Sequence, residues 1–342
     1  MLAARFYGGK DIRLEQVPDP VPDPGQVLVR VLAAGICGSD LHGYRQGTPS
    51  ATARTPGHEL AGQVVALGHG VQGWAVGDRV AIEPLVGCGR CPYCRAGDYH
   101  LCPDLEHIGG ARSGGFAQFT VAPQDRLYPL PEQVPMDHAS LLDVYAVAVH
   151  ALSRVPVAPG ERVAVIGSGA IGLSIAQLAA VAGGEVAVLG RRPAPLRIAA
   201  ETAGATGIVL DAHSAEAVRA WSGGDGADVV FEAVGGTAQT LSLALELAAP
   251  RGRVGVVGSF REAQLVDVRL PMRHELSLYW VWSYALRQGR PEFAIALDLL
   301  ARGKLQAEPL ITHRYPLERI QEAFAVADNK QTGNSIKVIV QP

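Results

Sequence analysis

The chain has 342 residues, of which 48% are hydrophobic, and its 30 basic and 33 acidic residues leave a net charge of −3. This length predicts two domains with large cores, and the dispersed charge argues against nucleic acid or another polyanion as a partner. With no signal-peptide pattern and no apolar run approaching membrane-spanning length, the sequence predicts a cytoplasmic protein with no membrane contact.

The first part of the chain has the pattern of a β-rich domain. Short apolar or β-branched runs predict strands at 27–31, 62–67, 79–82 and 115–121, with glycine and proline between them. A helix is predicted over 136–152. These elements indicate an irregular β domain that occupies residues 1–159.

Four of the five cysteines are clustered within this domain, in the pattern C-x2-C-x2-C-x7-C formed by Cys88, Cys91, Cys94 and Cys102. Such clustering predicts metal ligation in a reducing compartment rather than disulfides. Four thiolates with no open position suit a structural Zn²⁺, and an iron–sulfur cluster is the alternative.

The remaining cysteine, Cys37, lies in A-G-I-C-G-S-D-L-H, and His58 and Glu59 follow in T-P-G-H-E-L. A thiolate, an imidazole and a carboxylate form the mixed ligand set that a catalytic zinc uses when one position stays open. The alternative is a buried cysteine and a hydrogen-bonded histidine without a metal, since long separations of this kind also arise by chance.

A βαβ unit opens the next region, residues 160–290. A strand at 163–166 leads into G-x-G-x-x-G at Gly167, Gly169 and Gly172, then into a helix at 173–182 and a strand at 186–189. In this context the glycines allow a tight turn, the approach of a pyrophosphate and close helix packing. Further strands near 208, 229, 254 and 278 predict a doubly wound parallel sheet, which makes the chain α/β with a Rossmann domain.

The second strand of this unit ends in Gly190-Arg191-Arg192 and lacks the acid that an NAD site uses to bind the ribose 2′-hydroxyl. Two guanidinium groups suit a 2′-phosphate, and Gly190 is expected to leave room for it, so the sequence predicts NADP(H) over NAD(H). Arg197 is a candidate third contact. The alternative is that these arginines are solvated surface charges.

The last part of the chain is predicted to complete the first domain. Helices are predicted at 293–301 and 317–327, and a closing strand at 335–340 is expected to return to the β-rich domain. The catalytic domain would then consist of residues 1–159 and 291–342.

Taken together, these motifs resemble those of the zinc-dependent medium-chain dehydrogenases/reductases over the whole chain. The matching stretches are G-I-C-G-S-D-L-H at 35–42, G-H-E at 57–59, G-W-A-V-G-D-R-V at 73–80, the four-cysteine loop, G-G-F-A at 114–117 and G-S-G-A-I-G at 167–172. The pattern is most similar to the branch of sorbitol, threonine and polyol dehydrogenases. The resemblance implies a GroES-like catalytic domain joined to a Rossmann domain, one catalytic and one structural zinc per chain, and a homodimer or homotetramer.

The resemblance also implies roles for individual residues. Cys37 and His58 match the ligands of the catalytic zinc, and Glu59 joins them or exchanges with water. A further acidic ligand of the family matches Asp143. Its side chain is one methylene shorter than the usual glutamate, so it would bind the zinc through a water or directly if its helix lies closer. Ser39 matches a hydroxyl that relays a proton, and His42 is a candidate for the next step outward. The candidate cofactor contacts are Gly167, Gly169, Ala170, Ile171, Gly172, Arg191, Arg192, Arg197, Val257, Gly258 and Ser283.

The reaction implied by the resemblance is hydride transfer between nicotinamide and the carbinol carbon of a secondary alcohol. A polyol, a sugar or a simple secondary alcohol is the predicted substrate, with contacts expected on loops such as 44–53 and 107–113. One alternative is an amino alcohol such as threonine. Another is a non-catalytic, NADPH-binding redox sensor, which the intact Cys37, Ser39 and His58 argue against.

Overall fold

The computed structural model describes residues 1–46 and 54–342, without the side chains of 331 and 332. The predicted substrate loop 44–53 therefore lies, from 47 onward, outside the described residues. The chain forms two compact units, the first from residues 1–143, 288–301 and 311–342, and the second from 144–287 and 302–310. The boundary falls at residue 143, near the start of a helix, whereas the sequence predicts it at 159.

The elements follow one another in chain order. Up to residue 139 they are β1 (Leu2–Gly8), β2 (Asp11–Gln16), β3 (Gln26–Gly35), α1 (Gly38–Gln46), β4 (Glu59–Leu67), β5 (Arg79–Ile82), β6 (Leu85–Val86), α2 (Pro92–Ala96), β7 (Glu106–His107), β8 (Phe119–Pro123), β9 (Leu127–Pro129) and α3 (Met136–Ala139). Next come α4 (Leu142–Arg154), β10 (Arg162–Ile166), α5 (Ala170–Val181), β11 (Glu185–Gly190), α6 (Pro193–Ala203), β12 (Thr206–Val209), α7 (Ser214–Trp221), β13 (Ala227–Glu232), α8 (Thr240–Leu247), β14 (Ala248–Val256), α9 (Arg269–Arg273) and β15 (Ser277–Trp280). The last are β16 (Leu286–Arg287), β17 (Arg290–Pro291), α10 (Glu292–Ala301), β18 (Ile311–Pro316), α11 (Ile320–Asp328), α12 (Lys330–Gly333) and β19 (Lys337–Gln341).

The main sheet of the first unit is organised around β3. Its strand order is β18-β19-β3-β4-β5-β9, and β8 also pairs with β3. The apolar side chains of β3 at Val27, Val29 and Val31 are buried in a core that also contains Leu60, Val80 and Phe324. Because β3 pairs antiparallel with β4, β8 and β19, the residues that follow its end have a well-defined position.

Two predicted elements of the first unit are wrong in their bounds. The strand predicted at 115–121 lies at 119–123, because the Gly114–Phe116 backbone bonds across to residues 55–57 instead. A Cβ on Gly114 would lie 2.0 Å from the Gly57 carbonyl oxygen, which leaves no room for a side chain there. The helix predicted at 136–152 is two helices, and Ser140 ends the first by donating its hydroxyl to the Asp137 carbonyl at 2.7 Å.

The second unit has the predicted parallel sheet. Its order is β12-β11-β10-β13-β14-β15, which is 3-2-1-4-5-6 when counted within the unit, and all neighbouring pairs are parallel. This is the order of a doubly wound dinucleotide-binding sheet, and it confirms the predicted fold class. Strand residues such as Ala164, Ile166 and Val230 are fully buried because helices cover the sheet.

Even the apolar helix α5 has only 12 residues, fewer than the roughly 20 that a bilayer requires. Within 1–46 and 54–342, no helix is both long and apolar enough to cross a membrane.

Candidate functional site

Three potential metal ligands converge at one end of the β3–β4 pair. Gly35 and Glu59 are partners in the antiparallel register, so Cys37, two residues past Gly35, lies beside His58, one residue before Glu59. The ligand atoms of Cys37, His58 and Glu59 all lie within 4.8 Å of one another. The sheet register thus closes a gap of 21 residues that sequence spacing alone could not interpret.

Charge around His58 favours a cation at this position. Burial lowers the pKa of His58, but the Asp40 carboxylate and the Cys37 thiol more than offset it, so that the pKa lies well above its ordinary value. Asp40 Oδ1 lies 3.8 Å from His58 Nδ1, and Asp40 Oδ2 accepts a hydrogen bond from the Cys37 backbone N–H at 2.9 Å. Asp40 therefore fixes the Cys37 backbone and places a negative charge beside His58. A soft thiolate and an imidazole in a negative, mostly buried pocket fit Zn²⁺.

Glu59 forms a buried ion pair with Lys337, a residue that the sequence analysis missed. Lys337 Nζ lies 2.7 Å and 2.6 Å from the two carboxylate oxygens and donates to the Ile36 carbonyl at 3.1 Å. Burial lowers the pKa of Lys337, but the charges of Glu59, Cys37 and Asp143 together outweigh it, and the pKa is raised. The only signal in the sequence was a lone lysine within the apolar closing strand S-I-K-V-I-V.

Asp143 is not part of the compact three-residue group. It lies half-buried in the first turn of α4, and its charge raises the pKa of both His58 and Lys337. The carboxylate therefore contributes to the potential of the site, while the ligand atoms that lie within 4.8 Å of one another are those of Cys37, His58 and Glu59.

The helix α1 carries both residues of the predicted proton relay. Ser39 is exposed in its first turn and His42 is half-buried one turn later. Residues three apart lie on the same face of a helix, so the Ser39 and His42 side chains lie on one side of α1.

His107 is a second residue that the sequence analysis did not single out, although it begins one predicted substrate loop. Its ring centroid lies 4.9 Å from that of His58 at an interplanar angle of 63°. Its backbone carbonyl accepts hydrogen bonds from the Gly110 and Arg112 N–H groups, which fix the turn. Burial and the charge on His58 lower the pKa of His107 to about 4, so this imidazole is neutral near pH 7.

The four-cysteine loop forms a compact group of thiols. The Sγ atoms of Cys88, Cys91, Cys94 and Cys102 lie within 4.8 Å of one another, and no disulfide joins them. The backbone N–H of Cys94 points at Cys91 Sγ, and that of Cys88 points at Cys102 Sγ, each at 3.4 Å. Backbone hydrogen bonds lower the pKa of Cys88 to about 7. A single tetrahedral ion fits this spacing, because a multi-iron cluster must hold its thiolates further apart.

The glycine motif forms the turn between β10 and α5. Gly167 has φ +112°, which other residues rarely adopt, and a Cβ on Gly172 would lie 1.8 Å from the Gly167 carbonyl oxygen. A Cβ on Gly169 would meet nothing within 4 Å, so space is open where α5 begins at Ala170 and Ile171. The free N–H groups of this helix end suit a pyrophosphate.

The two arginines after β11 lie close together. Arg192 is half-buried at the N-terminal end of α6, and Arg191 is exposed. Burial and the nearby charge of Arg191 lower the pKa of Arg192. An anion bound between them would relieve this repulsion. Arg197 is exposed on the second turn of α6.

Glu232, which sequence reasoning also missed, ties together the loops at the ends of β13 and β14. Its Oε1 accepts from the Val234 and Gly235 N–H groups at 2.9 and 3.0 Å and from the Thr240 hydroxyl at 2.7 Å. Its backbone carbonyl accepts from Val257 and Gly258, two predicted cofactor contacts. Ser283, the third predicted in this part, is half-buried with φ +57° beyond β15.

Comparison with known proteins shows similarity over the whole chain. Residues 23–132 match the family model "Alcohol dehydrogenase GroES-like domain" and residues 170–302 match "Zinc-binding dehydrogenase". Sorbitol dehydrogenase of Bacillus subtilis (strain 168) is 33% identical, covering 100% of this chain and 97% of the relative. L-threonine 3-dehydrogenase of Pyrococcus furiosus is 31% identical, covering 96% and 95%.

Solved structures are also similar to this chain over its whole length. An alcohol dehydrogenase from Escherichia coli CFT073, complexed with NADH, has a TM-score of 0.90 and 29% identity over 100% of this chain and 99% of its own. A zinc-binding dehydrogenase from Sinorhizobium meliloti 1021, bound to NADP, has a TM-score of 0.89 and 31% identity over the same shares.

Proposed function

This chain belongs to the zinc-type alcohol dehydrogenase family, and from that membership we propose that it transfers a hydride between NADP(H) and a secondary alcohol or ketone. A polyol, a sugar or a simple secondary alcohol is the proposed substrate class. The observation that carries the proposal is the convergence of Cys37, His58 and Glu59 at the end of β3 and β4. We assign the substrate chemistry to the first unit and dinucleotide binding to the second.

The proposed catalytic zinc would be held by Cys37 and His58, beside the negative charge of Asp40. When bound, zinc supplies Lewis acidity toward the substrate oxygen. Glu59 is paired with Lys337, so we propose that it is an exchangeable rather than a permanent ligand. Asp143 is proposed to act at longer range, through its charge or through a water.

Proton movement is assigned to α1. Alcohol oxidation releases the hydroxyl proton of the substrate, and a protein group must carry it to solvent. We assign its acceptance to Ser39 Oγ and the next step to the His42 imidazole, because the two residues lie one helical turn apart and Ser39 is exposed.

We propose a structural zinc at the four-cysteine loop, giving two zinc ions per chain. Cys94→Ser is expected to lower the zinc content from about two to about one and the unfolding midpoint by several degrees, because it opens a closed site. Metal analysis and thermal unfolding measure both effects. Tyr93→Ser, an exposed change in the same short helix, is the control. Iron with visible absorbance in the purified protein would contradict this assignment.

The preference for NADP(H) is proposed from Arg191 and Arg192. The paired change Arg191→Asp with Arg192→Leu is expected to move the ratio of kcat/KM for NADP over NAD by about 10²-fold toward NAD, since it removes two charge-assisted contacts. The exposed Arg219→Leu is the control, and Arg197→Leu tests the third candidate contact. An unchanged ratio in the paired variant would show that both arginines are bystanders.

We propose that the chain forms a homo-oligomer through β15, an edge strand of the parallel sheet. Its residues Leu278 and Trp280 are 41% and 63% exposed, and alternate strand positions share one face. Such an apolar edge is typical of a strand that pairs with another copy. Leu278→Lys with Trp280→Lys is expected to lower the mass measured by light scattering to that of one chain. Val209→Lys, on the opposite edge strand β12, should leave the mass unchanged, and a monomeric wild type would refute the proposal.

The test of the proposed function is an initial-rate panel that crosses NADP and NAD with polyols, aldoses, simple secondary alcohols and threonine. Turnover of a secondary alcohol with NADP is the expected result. Turnover of threonine alone would favour the amino-alcohol alternative. If zinc-loaded protein binds cofactor but turns over no substrate in the panel, the result favours the redox-sensor alternative. A change in cofactor affinity on addition of carbonyl compounds would then support that alternative.

A further inference from the structure

We propose that Ser168 is a specificity-determining residue that acts through packing: with Gly190, it closes the place from which an acidic side chain would reach the ribose 2′-hydroxyl. This inference rests on the proposed preference for NADP(H) and deepens it. The sequence suggested that Gly190 leaves open room, but the structure shows that this room is filled.

The two residues lie at neighbouring strand ends. β10 and β11 are parallel partners, with Ile166 opposite Leu189, and the Gly167 N–H bonds to the Leu189 carbonyl at 2.9 Å. The Gly190 carbonyl is fixed from its other side by the Leu210 N–H at 3.0 Å. Neither backbone can therefore move away cheaply from the other.

The space at Gly190 is taken mainly by the Ser168 side chain. A Cβ at position 190 would lie 2.3 Å from Ser168 Oγ, 2.7 Å from Ser168 Cβ and 3.1 Å from Leu196 Cδ2. Rotation about χ1 would move the hydroxyl aside, but it would leave the Ser168 Cβ in place. Any side chain at position 190 therefore conflicts with any residue larger than glycine at position 168.

This packing bears on the choice between NADP(H) and NAD(H) because it occurs at the end of the second strand of the βαβ unit. A site that selects the 2′-hydroxyl uses an acid about 20 residues after the glycine motif, at the end of the second strand. In this chain, that strand ends at Gly190, and the next two side chains are the guanidinium groups of Arg191 and Arg192. Ser168 thus excludes from position 190 a carboxylate, which would repel a 2′-phosphate.

The packing is tested first without cofactor, by a double-mutant cycle on thermal unfolding. Gly190→Ala adds only a methyl group and is expected to lower the unfolding midpoint by several degrees. The same change in a Ser168→Gly background should cost less, because both Ser168 contacts are gone and only the 3.1 Å approach to Leu196 Cδ2 remains. If the two changes are additive, Ser168 does not occupy the space as proposed.

Specificity is tested by calorimetric titration with NADPH and NADH. Gly190→Asp alone is expected to weaken both, whereas Gly190→Asp with Ser168→Gly should bind NADH at least about tenfold better relative to NADPH than wild type does. Equal NADH affinity in the single and the double variant would overturn the proposal. A wild type that prefers NADH would instead overturn the proposed cofactor preference, and the unfolding cycle would still decide the packing.

Discussion

Cys37→Ser is expected to lower kcat/KM by about 10³-fold or more, which corresponds to about 4 kcal/mol of transition-state stabilisation. A serine hydroxyl is a far weaker zinc ligand than a thiolate, so the remaining set of His58 and Glu59 would not retain the metal. Cys37 is only partly buried and contributes little to the core. The unfolding midpoint should therefore stay close to that of the wild type.

Zinc content separates this effect from general damage. Cys37→Ser should lose one zinc and nearly all turnover with its stability intact, whereas Cys94→Ser should lose one zinc together with stability. Both variants are measured by metal analysis, thermal unfolding and initial rates on the same preparations. Retained turnover in Cys37→Ser would refute the assignment of the catalytic metal to this cysteine.

Lys337→Met is expected to reduce the free energy of unfolding by about 3–5 kcal/mol, because it leaves the Glu59 carboxylate buried without its partner. Lys337 and Glu59 are 3% and 1% exposed. The double variant Lys337→Met with Glu59→Gln should recover much of the loss, since it removes the second charge as well. Lys10→Met, which breaks the more exposed ion pair with Asp328, should cost within about 1 kcal/mol.

The same ion pair predicts a dependence of stability on alkaline pH. The pKa of Lys337 is raised in the folded protein above its ordinary value of 10.5. A raised pKa stabilises the fold fully below the unfolded pKa, and this stabilisation is lost as the pH rises through the folded pKa. Denaturant unfolding above about pH 10.5 should therefore show a loss of stability in the wild type that Lys337→Met lacks. Parallel profiles for the two proteins would contradict this role of Lys337.

Most of the secondary structure of the second unit could be predicted from short local patterns in the sequence. The predicted strands near 163, 186, 208, 229, 254 and 278 all occur in the structure, because buried parallel strands are continuous apolar runs. The glycine motif could be interpreted for the same reason, since its neighbours in sequence are also its neighbours in space. The first unit was less regular: the hairpin of β1 and β2 was missed, and the bounds of β8 and α3 depend on contacts with residues 55–57 and on the cap at Ser140.

Contacts between distant segments account for what the sequence did not reveal in the candidate site. Glu59 and Lys337 are 278 residues apart, and no spacing rule connects them. His107 reaches His58 only through the turn after β7, and Ser168 meets Gly190 only because β10 and β11 are parallel neighbours. Each of these pairs depends on strand register, which a single sequence does not specify at long range.

The divided first unit has a consequence for how the protein is made. The second unit is one run of residues 144–287 with only 302–310 added later, whereas the unit that contains Cys37 and His58 needs residues 288–301 and 311–342. At an elongation rate of about 5–20 residues per second, Glu59 leaves the ribosome roughly 15–55 s before Lys337. Until then its carboxylate lacks the ammonium that balances its burial. The unit that contains Cys37 and His58 is therefore completed only when the end of the chain has been synthesised.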